Sequence, residues 1–171
     1  MIYCNDTEYI RQAVISDLPD VLTLFSHATQ SMIENGIFQW DDVYPDGQIL
    51  KDDITGGKMY LYIIDHKLAA AFTINRISDP EYIDGRWKYP EHSASIIHRL
   101  CVRPDCQNGG IGTKAVIAAE RILKDNGIIS VRLDAFPQNP AALRMYQKLG
   151  YTNVGTIHLR KGAFYLYEKL L

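Results

Sequence analysis

Gln107-Asn108-Gly109-Gly110-Ile111-Gly112-Thr113 lies between a strand-like run, residues 96–102, and a helix-like run, residues 113–125. Three glycines in four positions let the backbone turn tightly and approach a ligand closely. The helix start that follows offers unpaired N–H groups and a positive dipole end. The stretch reads as an anion cradle, and its neighbours decide which kind.

Downstream, the helix 113–125 is stopped by Gly127, a strand follows over 128–135, and a helix over 140–149 is stopped by Gly150. With the strand 95–102 this makes a β-α-β-α series. The end of the chain, 154–158 and 163–167, reads as an antiparallel pair. Upstream, residues 10–14 form a first strand. Asp17 before Leu18-Pro19 is a helix N-cap, and apolar positions from Val21 to Ile33 recur at helical spacing until Asn35-Gly36. A short helix spans 46–54, and a hairpin pairs 59–64 with 68–74 around Asp65-His66-Lys67. Residues 78–92, with two prolines, a glycine and several charges, form a long loop.

With 171 residues and 47% hydrophobic content, the chain can bury one core and is short for two, so residues 1–171 read as a single domain. The balance of 18 basic against 20 acidic residues gives a net charge of -2 and no electrostatic reason to expect nucleic acid or an anionic membrane as partner. Cys4, Cys101 and Cys106 have neither metal-ligand nor disulfide spacing. The first residues lack a basic segment followed by an apolar one, and no apolar run is long enough to span a bilayer. A cytoplasmic protein without a metal is expected.

Two phosphate-binding patterns are weighed by spacing. A Walker A loop needs lysine before the hydroxyl, whereas here Gly112-Thr113-Lys114 reverses them. The dinucleotide pattern G-x-G-x-x-A fits Gly110, Gly112 and Ala115, with Asp134 as the acidic residue. However, a spacer separates the strand from the first glycine, and only 37 residues follow Asp134, too few for the remaining strands of such a domain.

A third pattern is stronger. Gln107-x-x-Gly110-x-Gly112, led in by Leu100-Cys101-Val102-Arg103-Pro104, resembles the pyrophosphate loop of the GNAT superfamily of N-acetyltransferases. Asn139-Pro140-Ala141-Ala142-Leu143-Arg144-Met145-Tyr146-Gln147-Lys148-Leu149-Gly150-Tyr151 is similar to that family's Asn-x-x-Ala-x-x-x-Tyr-x-Lys-x-Gly-Phe segment. The resemblance covers the whole chain and is specific over 96–151. It implies an α/β fold of the α+β type, with one mixed, mostly antiparallel sheet of six to seven strands flanked by about four helices. It also implies acetyl-CoA as cosubstrate and a small-molecule or peptide amine as acceptor, in a monomer or homodimer. Taken singly, Asn139 is a helix cap ahead of Pro140 and Tyr146 belongs to the apolar stripe of its helix. Their order after the glycine loop is what favours the family.

By that resemblance the amine attacks the thioester directly. Gln107, Asn108, Gly109, Gly110, Ile111, Gly112 and Thr113 hold the pyrophosphate, and Leu100, Cys101 and Val102 pair with the pantetheine arm, an N–H near Leu100 or Cys101 serving as oxyanion donor. Asn139 contacts a pantetheine amide, and Tyr146 protonates the departing thiolate or hydrogen-bonds its sulfur. Several relatives carry a glutamate as base in the upper half of the strand, where this chain has Ser95, Ile96 and Ile97. His98, with a usable ordinary pKa, is the candidate base or relay, and Glu34, Asp41, Glu91 and a water chain stay open. Cys101 and Cys106 are considered as acetyl carriers and set aside for want of a nearby base. Aromatic and acidic residues 36–44, including Trp40 and Asp41, and the loop 81–92 with Tyr82, Trp87 and Tyr89 are the candidate acceptor walls. An acyl-CoA-binding regulatory domain without turnover is the alternative to an enzyme.

Overall fold

A hairpin decides how the middle of the chain begins. Lys67–Asn75 (β4) folds back on Met59–Ile64 (β3) through Asp65 and His66, both at positive φ (47° and 63°), as a two-residue turn between right-twisted strands requires. The computed structural model describes residues 2–5 and 7–171, with side chains from Thr7 onward. Cys4 therefore has no described side chain, and Met1 and Asp6 lie outside the described residues.

Around that hairpin one sheet runs in the order β1-β2-β3-β4-β5-β6-β8-β7. The flanking strands are β1 (Ile2–Asn5), β2 (Glu8–Gln12), β5 (Ala94–Val102), β6 (Ser130–Ala135), β7 (Thr152–Leu159) and β8 (Gly162–Leu170). All neighbours are antiparallel except β5 and β6. One parallel pair in a mostly antiparallel sheet is the mixed architecture anticipated, and it rules out the all-parallel sheet of a dinucleotide fold. The eighth strand is β1, four residues for which the sequence reading expects no strand.

Four helices cover the sheet. Helix α1 (Leu18–Glu34) buries Val21, Leu24, Phe25 and Ala28 at helical spacing and ends before Gly36 at φ 74°. Asp17 stands at its N-cap but makes no cap bond. Its carboxylate is taken by Arg11 (2.7 Å to each oxygen) and by the Val14 N–H at 2.8 Å. Helix α2 (Gly47–Thr55) is capped by Asp46, which accepts from the Ile49 N–H at 2.8 Å. Both pack on one sheet face, against Met59, Leu61, Ile63, Ala71 and Cys101. On the other face, α3 (Ile111–Asp125) and α4 (Pro140–Lys148) bury Val131, Leu133 and Ala135 of β6. Helix α3 starts two residues before the expected Thr113 because Gly110, at φ 80°, already turns the chain into it.

Two features of β5 open the middle of the sheet. Arg99 is left-handed at φ 50°, and between the pairs Ala71↔Cys101 and Thr73↔His98 two β5 residues oppose the single residue Phe72. That is a β-bulge, and it bends the strand. The parallel pairing of β5 with β6 stops at Ile96↔Arg132, although both strands continue. Beyond that pair the strands part, leaving β5 from Ile97 and β6 from Leu133 with edges facing a gap.

Candidate active site

The gap forms the middle of a cleft of about 1300 Å³ that runs from the glycine loop through the sheet to the α1–α2 loop. A cleft of this size exceeds an ordinary small-ligand pocket and suits an elongated ligand together with a second molecule.

At one end lies the cradle. The Lys114 N–H, bonded to the Gly110 carbonyl at 3.0 Å, is the first of α3 to find a helical partner, so the N–H groups of Ile111, Gly112 and Thr113 are left for a ligand. Asn108 (φ 62°) and Gly110 (φ 80°) turn the loop so that its amides converge on that helix end. Gln107 contributes differently from expectation. Its own N–H goes to the Pro104 carbonyl at 3.2 Å, and its side chain donates to the Val102 carbonyl at 3.2 Å, bracing loop to strand. Lys114 is drawn away to Glu8 at 2.8 Å, so backbone dipoles carry the cradle. A Cβ on Gly112 would stand 3.2 Å from Met145 Sδ and 3.6 Å from Val102 Cγ2, so a side chain here would press on α4 and β5.

Along the gap, the Arg103 N–H donates to Ala69 on β4 at 2.8 Å. Strand alternation then turns the N–H groups of Val102 and Leu100 away from β4, toward the gap. The Cys101 side chain lies in the α1 core beside the Leu24 carbonyl, and burial pushes its thiol far above the ordinary range, so it is inert as a nucleophile. Asn139 caps α4, its Oδ1 accepting from the Ala142 N–H at 3.2 Å, while its amide reaches Gln39 at 3.4 Å. Both the cap role and a place on the cleft wall therefore hold for this residue. Tyr146 is 6% exposed between Tyr151 and Tyr167, yet its side chain borders the cleft and its hydroxyl has no partner among the described residues. Burial, and then the nearby Asp134, hold its pKa far above 10, so the proton stays on oxygen.

At the other end the chemistry is ionic. His98 is half-buried, with Nε2 3.1 Å from both Asn75 Oδ1 and the Ile77 carbonyl. Two acceptors on one nitrogen place the hydrogen there and the lone pair on Nδ1. Burial, reinforced by the Arg99 charge, lowers its pKa to about 4. Arg99, on the bulge, sends Nε (2.8 Å) and a terminal nitrogen (2.7 Å) to Asp53 Oδ2 and donates to the Tyr44 hydroxyl at 2.9 Å, while Thr73 donates to the same Asp53 oxygen. Asp134, on β6, accepts from the Tyr82 hydroxyl at 2.8 Å. Burial first, then the Asp79 charge, raise the Asp134 pKa, against the Tyr82 bond and Arg99. Asp79 is raised as well, by burial and Glu81.

Several expectations change at this end. Asp41 is no free carboxylate, because Arg160 (2.6 Å) and Lys161 (2.9 Å) of the β7–β8 turn hold it and keep its pKa far below the usual range. It fastens the α1–α2 loop across the cleft mouth, and so cannot act as base. Glu34 is held by Gln30 on the exposed side of α1, and Glu91 sits in a surface turn, both away from the cleft walls. Trp40 packs on Phe25 while one side lines the cleft. In the 81–92 loop, Trp87 stacks on Tyr82 and under Arg132 (4.3 Å), pinning the loop to the sheet, and only Tyr82 reaches the site, through Asp134. Arg99, Asp53 and Asp79 had no part in the sequence reading. A charged residue interrupting the apolar run Ile96, Ile97, Leu100 was the signal for Arg99. Asp134 was seen only as the acid of the rejected dinucleotide pattern.

A split sheet with a glycine cradle, a strand edge and a buried phenol along one cleft defines an acyltransferase site. Residues 22–151 match the acetyltransferase (GNAT) family model, so the chain belongs to that family and is an acyltransferase. It is 25% identical, over 96% of its own length and 91% of the relative's, to YesJ of Bacillus subtilis (strain 168), which is named an uncharacterized N-acetyltransferase. Its fold is similar to that of a GNAT-family acetyltransferase from Streptococcus agalactiae 2603 (TM-score 0.86, 22% identity, 100% of this chain and 99% of the other). It is also similar to that of the PaiA N-acetyltransferase from Thermoplasma acidophilum in complex with coenzyme A (TM-score 0.73, 19% identity, 96% and 99% covered). Among the described residues no group of three or more His, Cys, Asp or Glu is placed to hold a metal ion, and no helix is long and apolar enough to cross a membrane.

Proposed function

We propose that residues 1–171 work as one N-acetyltransferase domain that moves an acetyl group from acetyl-CoA to a primary amine by direct attack on the thioester. The observation that carries this reading is the continuity of one cleft from the α3 cradle, past the β5 edge and Tyr146, to the ionic end at Arg99 and Asp134. In it, Asn108 to Thr113 face the pyrophosphate, Asn139 faces the pantetheine arm, and the edges of Leu100, Cys101 and Val102 pair with it. The Leu100 N–H meets the carbonyl oxygen as negative charge develops there. Tyr146 keeps its proton and donates a hydrogen bond to sulfur. Full transfer to a thiolate whose acid has a pKa of about 8.5 would run uphill from so weak an acid. His98 lines the acceptor side, where Nδ1 is free to orient the amine.

The PaiA relative was crystallised with coenzyme A, which supports the same cosubstrate here. Free thiols at Cys101 and Cys106 suit a reducing compartment, in keeping with a cytoplasmic setting. The acceptor is a small-molecule or peptide amine, and the protein acts as a monomer or homodimer without nucleic acid or membrane. The test is thiol release from acetyl-CoA with a panel holding a polyamine, an aminoglycoside, amino-acid esters and a peptide with a free N-terminus. Turnover with one class is the expected result. Tight coenzyme A binding with no release across the panel, even at millimolar amine, would refute the transferase reading.

A further inference from the structure

An amine of pKa about 10 is neutral only about one time in a thousand at pH 7, so direct attack needs a group that removes a proton inside the cleft. The residues that line the acceptor side offer two candidates, and the same surroundings act on them in opposite directions. Burial penalises charge, so it makes neutral His98 a weaker base and the Asp134 carboxylate a stronger one. Protonating His98 would also create a cation beside Arg99, whereas a carboxylate that takes a proton from an ammonium removes two buried charges at once.

The geometry agrees. Asp134 lies two residues past the last β5–β6 pair, Ile96↔Arg132, level with His98 across the gap and on the sheet face opposite α3 and α4. It borders the cleft, as does Tyr146, which rises on α4 from the other face. Both border the same cleft, and the Asp134 charge is felt at Tyr146, whose pKa it helps to raise. One Asp134 oxygen is fixed by the Tyr82 hydroxyl at 2.8 Å, and Tyr82 is 2% exposed and stacked on Trp87, so the carboxylate is held from behind. The charged and titratable groups around it are Asp79 after β4, Arg99 on β5, Tyr44 in the α1–α2 loop, Tyr82 and Tyr146. Arg99 is already matched by Asp53, which leaves Asp134 and Asp79 to receive a cation.

Resting on the N-acetyltransferase reading, we infer that Asp134 receives the acceptor as its ammonium ion and takes the first proton, with Tyr82 as the residue that positions it and Asp79 as the second carboxylate facing the cation. The ammonium gives one proton to Asp134, which passes it to solvent. The freed nitrogen lone pair forms the C–N bond, the C–S bond breaks, and the second nitrogen proton ends on sulfur as the free coenzyme A thiol. The acceptor class is therefore an amine that is charged at neutral pH, as opposed to an aromatic or otherwise weakly basic amine.

The test is the pH dependence of kcat/KM for the best amine of the panel, with acetyl-CoA affinity measured alongside. In the wild type the rate is lost as pH falls through the Asp134 pKa and is flat above it until the amine itself titrates. With Asp134→Asn only the free amine reacts. Its rate climbs about tenfold per pH unit through neutrality, from a deficit of roughly a thousandfold at pH 7, the neutral fraction above, while acetyl-CoA binding is unchanged. Tyr82→Phe removes a donor that lowered the Asp134 pKa, so the acid limb moves to higher pH. Asp79→Asn removes a like charge, so the limb moves to lower pH. A folded Asp134→Asn enzyme with the wild-type profile, or limbs that do not move in those two directions, would overturn the inference. Absence of turnover in the wild type with intact coenzyme A binding would instead overturn the transferase reading beneath it.

Discussion

Replacing Gly112 by leucine tests the cradle where steric and electrostatic arguments separate. A Cβ there already meets Met145 Sδ at 3.2 Å and Val102 Cγ2 at 3.6 Å, so a leucine crowds both of these residues at the cleft wall. Ligand phosphates would lose the N–H groups of Gly112 and its neighbours. Each hydrogen bond to a charged group contributes about 1.5–3 kcal/mol, so losing two weakens coenzyme A by about 3–6 kcal/mol, on the order of a hundredfold or more. Gly110→Ala is the control. A Cβ there meets nothing within 4 Å, but φ is +80°, so the cost is strain of about 1–2 kcal/mol, felt in stability, with affinity reduced less than about tenfold. Calorimetric titration with coenzyme A, alongside thermal melts, reads both. If Gly112→Leu folds and binds coenzyme A as the wild type does, the phosphates lie elsewhere and the cradle reading fails. If Gly110→Ala weakens binding more than Gly112→Leu, the close approach has been placed at the wrong glycine.

Tyr146→Phe removes a hydroxyl without a partner among the described residues and keeps the ring between Tyr151 and Tyr167. Turnover should fall roughly ten- to a hundredfold with acetyl-CoA affinity and melting point nearly unchanged, and steady-state kinetics at saturating amine would expose a full-speed variant. Asp53→Asn strands the Arg99 guanidinium, 10% exposed, against a neutral amide, and should cost about 3 kcal/mol in urea unfolding. Adding Arg99→Met should restore much of that loss, whereas losses that simply add within about 0.5 kcal/mol would show that the pair is not coupled.

The cradle and the helices were legible because their signals are local. Glycine at positive φ, a proline at the start of α4 and helical spacing of apolar residues each act within a few positions, so one sequence suffices to read them. Even there, α3 begins at Ile111, two residues before the expected start, since the left-handed Gly110 enters the helix without a side-chain cap. Asp17 shows the converse. A good capping residue was claimed by Arg11, six positions away and across a turn, and spacing does not report such competition. The acceptor end was much less legible. Asp41 looked like a site carboxylate from its aromatic neighbours, yet its partners lie 119 and 120 positions downstream. Asp134 acquires its environment from Tyr82, 52 positions earlier, and from the gap beside it. Long-range pairing decides whether a carboxylate is a latch or a base, and nothing within either segment distinguishes the two.

The split between β5 and β6 explains why this site needs both faces of one sheet. A continuous sheet would separate the α3–α4 side, where the cradle and Tyr146 lie, from the α1–α2 side, where Arg99, Asp79 and Asp134 lie. The bulge at Arg99 and the loss of pairing after Ile96 remove that barrier over a few residues, so the two faces communicate through the gap beside β5. The same bulge puts Arg99 against Asp53 and Tyr44. Arg99 thereby ties α2 and the α1–α2 loop to the strand that lines the cleft. Both ends of the cleft thus share one irregular strand. Residues of the α1–α2 loop can therefore change at one end of the cleft while the glycine loop, built from backbone at the other end, stays as it is.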